Sequence, residues 1–181
     1  MKRTILALAG VLALMLGGIA SAVPASAAAP DNNDLKIVQV GTDAMGADSF
    51  SNRNREFVKF ENVSSADLDI ANVIVEDNWA RTNSSHTCNT YKITDLPGND
   101  TTVIAAGATV TVYNGSRWGG DRRDGNAYHL YAKSDVDCGT FGHFFNNDAD
   151  TAWVVHGNTV LAKKSWDWNG GYHVAGSDPL P

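Results

Sequence analysis

Beyond its first thirty residues this chain predicts an all-β domain built from two packed antiparallel sheets, and three observations carry the prediction. No window of that region holds an apolar period of 3.6 residues for three turns, so no amphipathic helix is written into it. Short β-branched and aromatic stretches recur instead, separated by clusters of Gly, Asn, Asp and Ser that break strands and make turns. The composition, 43% hydrophobic and 19% charged with 17 Gly and 5 Pro, suits a packed core and excludes a disordered or collagen-like chain. A length of 181 residues leaves room for one domain of about 150 residues once a targeting segment is removed.

Taken in order, strands are expected over Leu35 to Val40, Glu56 to Asn62, Leu68 to Ile70, Val73 to Glu76, Thr109 to Tyr113, Ala127 to Ala132, Ala152 to Val155 and Thr159 to Lys164. In the second, Val58 and Phe60 alternate with Lys59 and Glu61, the pattern of a strand with one buried and one wet face. Val110 and Val112 alternate with Thr109 and Thr111 in the same way. Phe57 falls on the face opposite Val58 and needs separate cover, while Trp153 is expected in the core. Asn114-Gly115-Ser116 reads as a turn after a strand, and His156-Gly157-Asn158 as the tight connection of a hairpin. The stretches 41–55 and 79–89 are polar enough to be surface loops.

The first residues give an address. Lys2 and Arg3 precede an apolar run from Ile5 to Leu16, which leads to Ala25-Ser26-Ala27, a small-residue site for signal peptidase. That run is too short for the roughly 20 residues needed to span a bilayer, so a signal peptide over 1–27 and a secreted, extracellular protein are expected, without membrane insertion. The alanine-rich character of the signal is bacterial. Removing Lys2 and Arg3 leaves 12 basic residues against 20 acidic, a balance of −8 that disfavours nucleic acid and anionic lipid as partners. The two cysteines, Cys88 and Cys138, both lie in the exported part, where one disulfide is the simplest outcome. Closing a loop of about 50 residues restricts the unfolded chain by roughly 4 kcal/mol.

Four stretches, in this order and spacing, resemble the lamin tail domain, a family found at the end of nuclear lamins and in secreted bacterial proteins. Leu35-Lys36-Ile37-Val38-Gln39-Val40 resembles its opening strand, and Glu56-Phe57-Val58-Lys59-Phe60-Glu61-Asn62, followed by Asp67-Leu68-Asp69-Ile70, resembles its strand closed by Asn. Ile104-Ala105-Ala106-Gly107-Ala108-Thr109-Val110-Thr111-Val112 is similar to its turn and following strand. Asn146-Asn147-Asp148-Ala149-Asp150-Thr151-Ala152 is similar to its Asn-rich turn before the last hairpin. Val73 stands where the family often has Trp, Ala106 where it often has Pro, and Ala149 where it often has Gly. The resemblance covers most of residues 35–166 and implies an immunoglobulin-like antiparallel β-sandwich whose role is attachment or protein interaction. The expected organisation is a flexible N-terminus over 28–34, the sandwich over 35–174 and a tail over 175–181.

The residues themselves point to binding more than to catalysis. None of the histidines His86, His129, His143, His156 and His173 pairs with another at helical metal-site spacing, and surface or half-buried positions account for them, although His129 and His143 can meet across strands. No G-x-S-x-G pentapeptide marks a serine nucleophile, and Asp67 and Asp69 read as solvated charges rather than a glycosidase pair. Calcium is the one cofactor considered, at Asp31 to Asp34, Asp121 to Asn126 and Asn146 to Asp150, but none fits an EF-hand loop, and Asx turns explain the composition without a metal. Trp118, Trp166, Trp168 and Tyr172 sit beside glycines, where displayed aromatics stack on sugars or peptides. The competing assignment for them is burial as the C-terminal segment folds back over the sandwich. The expected function is therefore a non-catalytic binding or structural module contacting extracellular protein or cell-wall polysaccharide. The rivals are a small secreted hydrolase and a calcium-dependent adhesion or carbohydrate-binding module.

Overall fold

A computed structural model describes residues 26–42, 53–83, 88–98, 100–115, 120–132, 145, 149–167 and 174–175. In chain order its strands are β1 (Leu35–Gly41), β2 (Phe57–Asn62), β3 (Leu68–Asp69), β4 (Val73–Glu76), β5 (Thr90–Lys92), β6 (Val103–Ile104), β7 (Thr109–Tyr113), β8 (Arg122–Asp124), β9 (Ala127–Tyr131), β10 (Ala149–His156), β11 (Thr159–Asp167) and β12 (Val174–Ala175). A single 3-10 turn, Arg53–Arg55, precedes β2, and a five-residue helix α1, Asn78–Thr82, follows β4. The strands form a six-stranded sheet in the order β12-β1-β2-β7-β9-β8, a four-stranded sheet β11-β10-β4-β5 and a two-stranded ribbon β3-β6.

The alternation read from the sequence sets the core. Val58, Phe60, Val110, Val112 and Leu130 turn in from the larger sheet and meet Val73, Val75, Ala152, Val154 and Leu161 from the smaller one, all at 2% exposure or less. Such interdigitation of two inner faces is what makes a sandwich stable. Phe57, facing the other way, is covered by the Tyr113 ring at 5.6 Å and by the bare backbone of Gly41, where an added Cβ would lie 2.3 Å from the Arg55 carbonyl oxygen. Asn62, at the end of β2, is fully buried because its amide donates to the Ala66 and Ala105 carbonyls while its oxygen accepts from the Ser64 N–H. The β10-β11 hairpin closes through Gly157 and Asn158, and Gly157 holds the positive φ of 56° that such a two-residue connection needs.

The expected all-β, antiparallel-rich sandwich is observed, and within it β7 and β9 run parallel, Val110 beside Tyr128 and Val112 beside Leu130, with β8 turning back against β9. Some finer expectations are corrected. Trp153 is half-buried on the outer face, because it alternates with the inward Ala152 and Val154; Arg81 and Lys163 cover its ring at 5.9 and 5.3 Å. The polar stretches are not simple loops: Gly41 belongs to β1, Arg53 is buried in the 3-10 turn, and α1 opens the second. Ahead of β1, Asp69 N–H donates to the Ala28 carbonyl and Val63 N–H to that of Asp34. The short strand β12 pairs with β1, Ala175 opposite Val40 and Val174 opposite Gly41. Among the described residues no helix is long and apolar enough to cross a membrane.

Candidate binding cleft

The site begins at one carboxylate. Asp77 ends β4 in extended conformation, and its Oδ1 accepts from the Ala80 N–H at 2.6 Å, capping α1. Its Oδ2 accepts from Asn89 Nδ2 at 2.7 Å, which ties the start of β5 to the helix. Asp77 is 1% exposed, and burial raises its carboxyl to about 6, more than the two hydrogen bonds lower it; Asp150 and Glu76 add repulsion. Burial also raises Glu76, partly offset by Arg81, whose guanidinium lies 3.3 Å away.

The cap fixes the helix over the open end of the β10-β11 hairpin. Asp150 Oδ1 accepts from the Asn78 N–H at 3.2 Å and from its own neighbour Thr151 N–H at 2.7 Å, so helix and strand share one anchor. Between them lies an open-sided cleft of about 450 Å³, walled by Asn78, Trp79 and Thr82 of α1, Ala149, Asp150 and Thr151 of β10, and Ser165 and Trp166 of β11. Trp79 is 38% exposed. Trp166 is half-buried, edge-on to Phe145 with ring centroids 5.3 Å apart. Across the hairpin the Thr151 and Ser165 hydroxyls hydrogen-bond at 2.8 Å. The cleft therefore offers two indoles, hydroxyls, an amide and a carboxylate on a framework held by buried hydrogen bonds.

Of the aromatics singled out from sequence, Trp166 is placed in this wall, whereas Trp118, Trp168 and Tyr172 lie outside the described residues. Cys138 lies outside them too, so the expected bridge is described from one end: Cys88 carries no free thiol. His129 stands between the Tyr113 hydroxyl, 3.2 Å from Nδ1, and the Asp124 carboxylate, 3.6 Å from Nε2, while His143 lies outside the described residues. In the loops considered for calcium, the Asp34 carboxylate accepts from the Asp31 N–H, Asp121 from the Tyr131 N–H, and Asp124 pairs with Arg122. Asn146 to Asp148 fall outside the described residues. Asp69, the last residue of β3, accepts from the Ala71 N–H and the Thr102 hydroxyl. Among the described residues no three His, Cys, Asp or Glu side chains are grouped to hold a metal ion.

Sequence reasoning missed Trp79 and Asp77 as site residues and read Asp150 only as part of a loop considered for calcium. The available signal was Asp77 three residues before Ala80, a capping spacing at the end of a strand, and a lone indole in an otherwise polar stretch. No family model matches the chain, and no curated protein matches it.

Proposed function

We propose that this protein is a secreted, non-catalytic binding module of lamin-tail type, holding an extracellular polymer in the cleft between α1 and the β10-β11 hairpin. The observation that carries the reading is that cleft itself, a preorganised recess walled by Trp79 and Trp166 with polar groups converging from both sides. The signal-like N-terminus supports export. The lamin-tail character rests on the order and spacing of the sequence stretches that suggested it. Its test is retention of cell-wall polysaccharide or secreted-protein fractions on the immobilised chain from Ala28. Retention that is lost in Trp79→Ala supports the reading; no retention of either fraction overturns it. The hydrolase reading rests on His129 between Tyr113 and Asp124. Release of new reducing ends or peptides that disappears in His129→Ala would put that reading in its place.

A further inference from the structure

Resting on that reading, we infer that the cleft's occupant is an uncharged glycan chain, stacked on the indoles of Trp79 and Trp166 and hydrogen-bonded by Asp150, Asn78, Thr82 and Ser165. Three features of the wall select this chemistry.

The first is the pairing of flat rings with short polar groups. A pyranose presents a C–H face that an indole covers without a partner of matched sequence, and a rim of hydroxyls that both donate and accept. Hydroxyl and amide side chains answer both roles, and Asp150 accepts. A cleft for apolar side chains of a peptide would instead be walled mainly by aliphatic residues, and here Ala149 is the one aliphatic residue among the described residues of the wall.

The second is charge. Among the described residues the wall carries the Asp150 carboxylate and no cation, and the buried acids Glu76 and Asp77 stand behind it. Arg81 of α1 is committed to Glu76 and to the face of Trp153, and Lys163, two residues before Ser165, also lies over that ring. The whole chain adds a net charge of −6. A uronate or phosphate-bearing polymer would meet the Asp150 carboxylate in the wall, which favours a neutral repeating unit.

The third is shape. A volume of about 450 Å³ is within the range of about 300 to 1,000 Å³ usual for small-ligand sites, while the open side lets a polymer enter along its length. The Asp77 cap and the Asp150 anchor hold both walls before binding, which limits the ordering cost that otherwise weakens association.

The test is calorimetric titration of the full mature chain with cellohexaose, with the hexamer of N-acetylglucosamine, with polygalacturonate and with hexalysine. At least one of the two neutral hexamers is expected to bind, polygalacturonate is not, and Trp79→Ala is expected to weaken binding about thirty-fold while Trp79→Tyr retains most of it. Trp79 is exposed enough for the variant to keep its melting temperature, and Ser165→Ala serves as a second probe of the polar wall. Unchanged affinity in both Trp79→Ala and Ser165→Ala, or preference for polygalacturonate or hexalysine, overturns the inference. If neither neutral hexamer binds while a wall or secreted fraction is still retained through Trp79, the glycan assignment falls and the binding-module reading stands; if nothing is retained at all, both fall.

Discussion

Single side chains decide how this sandwich spends its polar groups. Asp77 is the sharpest case, because a carboxylate that caps a helix is also buried beside two other acids. Its folded carboxyl, near 6, lies above the ordinary 3.8, so the folded state holds the proton more tightly. The contribution to stability is then full below about pH 4 and is lost as the pH rises through about 6, on the order of 2 kcal/mol. Glu76 shifts in the same direction, so the comparison that isolates Asp77 is with Asp77→Asn, which keeps an oxygen for the cap. Wild type is expected to lose stability relative to that variant between pH 4 and 6 in urea titrations; parallel curves would remove Asp77 as the cause. Gly41 makes the opposite kind of demand. An added Cβ would run into the Arg55 carbonyl and the Phe57 ring, so Gly41→Ala is expected to lower the denaturation midpoint by about 1 to 3 kcal/mol. Phe57 was legible as a residue needing cover, but nothing in one strand's pattern says that the cover is a glycine from the neighbouring strand.

Elements were legible where they are long and periodic. β7 and the β10-β11 hairpin form over the expected residues or extend past them, and β2 begins one residue later than expected, at Phe57. β5, β6, β8 and β12 have two or three residues each, too few to show a period, and they exist because a neighbouring strand supplies hydrogen bonds. α1 was hidden for a related reason: five residues hold no helical period, and its stability comes from the Asp77 cap and packing on β10. The parallel β7-β9 pair depends on how the chain crosses the sandwich, which alternation does not report. Trp153 was placed inside on hydrophobicity alone, where its phase relative to Ala152 and Val154 already pointed outward. Val110 tests the register of the larger sheet, since it is fully buried between Phe60 and Tyr128 on the adjacent strands. Val110→Ala is expected to cost about 1 to 3 kcal/mol through lost burial and the cavity left behind, and an unchanged midpoint would contradict the inward assignment.

At the scale of the whole molecule, the pairing of β4 with β10 in the smaller sheet brings α1 against a hairpin far away in sequence, and that is why the cleft was only partly legible. Trp166 was singled out as an anchor, but its partner Trp79 lies on an element whose existence the pattern did not announce. The link between them runs through the cysteine segment. Cys88 adjoins Asn89, and Asn89 donates to the same carboxylate that caps the helix carrying Trp79. Cys88 carries no free thiol, and a bridge to Cys138, the other cysteine of the chain, is the expected partner. Such a bridge would restrict the unfolded state by roughly 4 kcal/mol and would also hold the Asn89 side of the cap. Alkylation of the native exported chain without reductant is therefore expected to leave both cysteines unmodified, with an intact mass 2 Da below the reduced form. Reduction is expected to lower the melting temperature. In chains that remain folded it should also weaken retention on the cleft's ligand, because Asn89 no longer holds Asp77 from a fixed base. Two alkylated thiols in native protein would end the bridge assignment. A reduced protein that melts earlier but binds unchanged would confine the bridge to stability and detach it from the cleft.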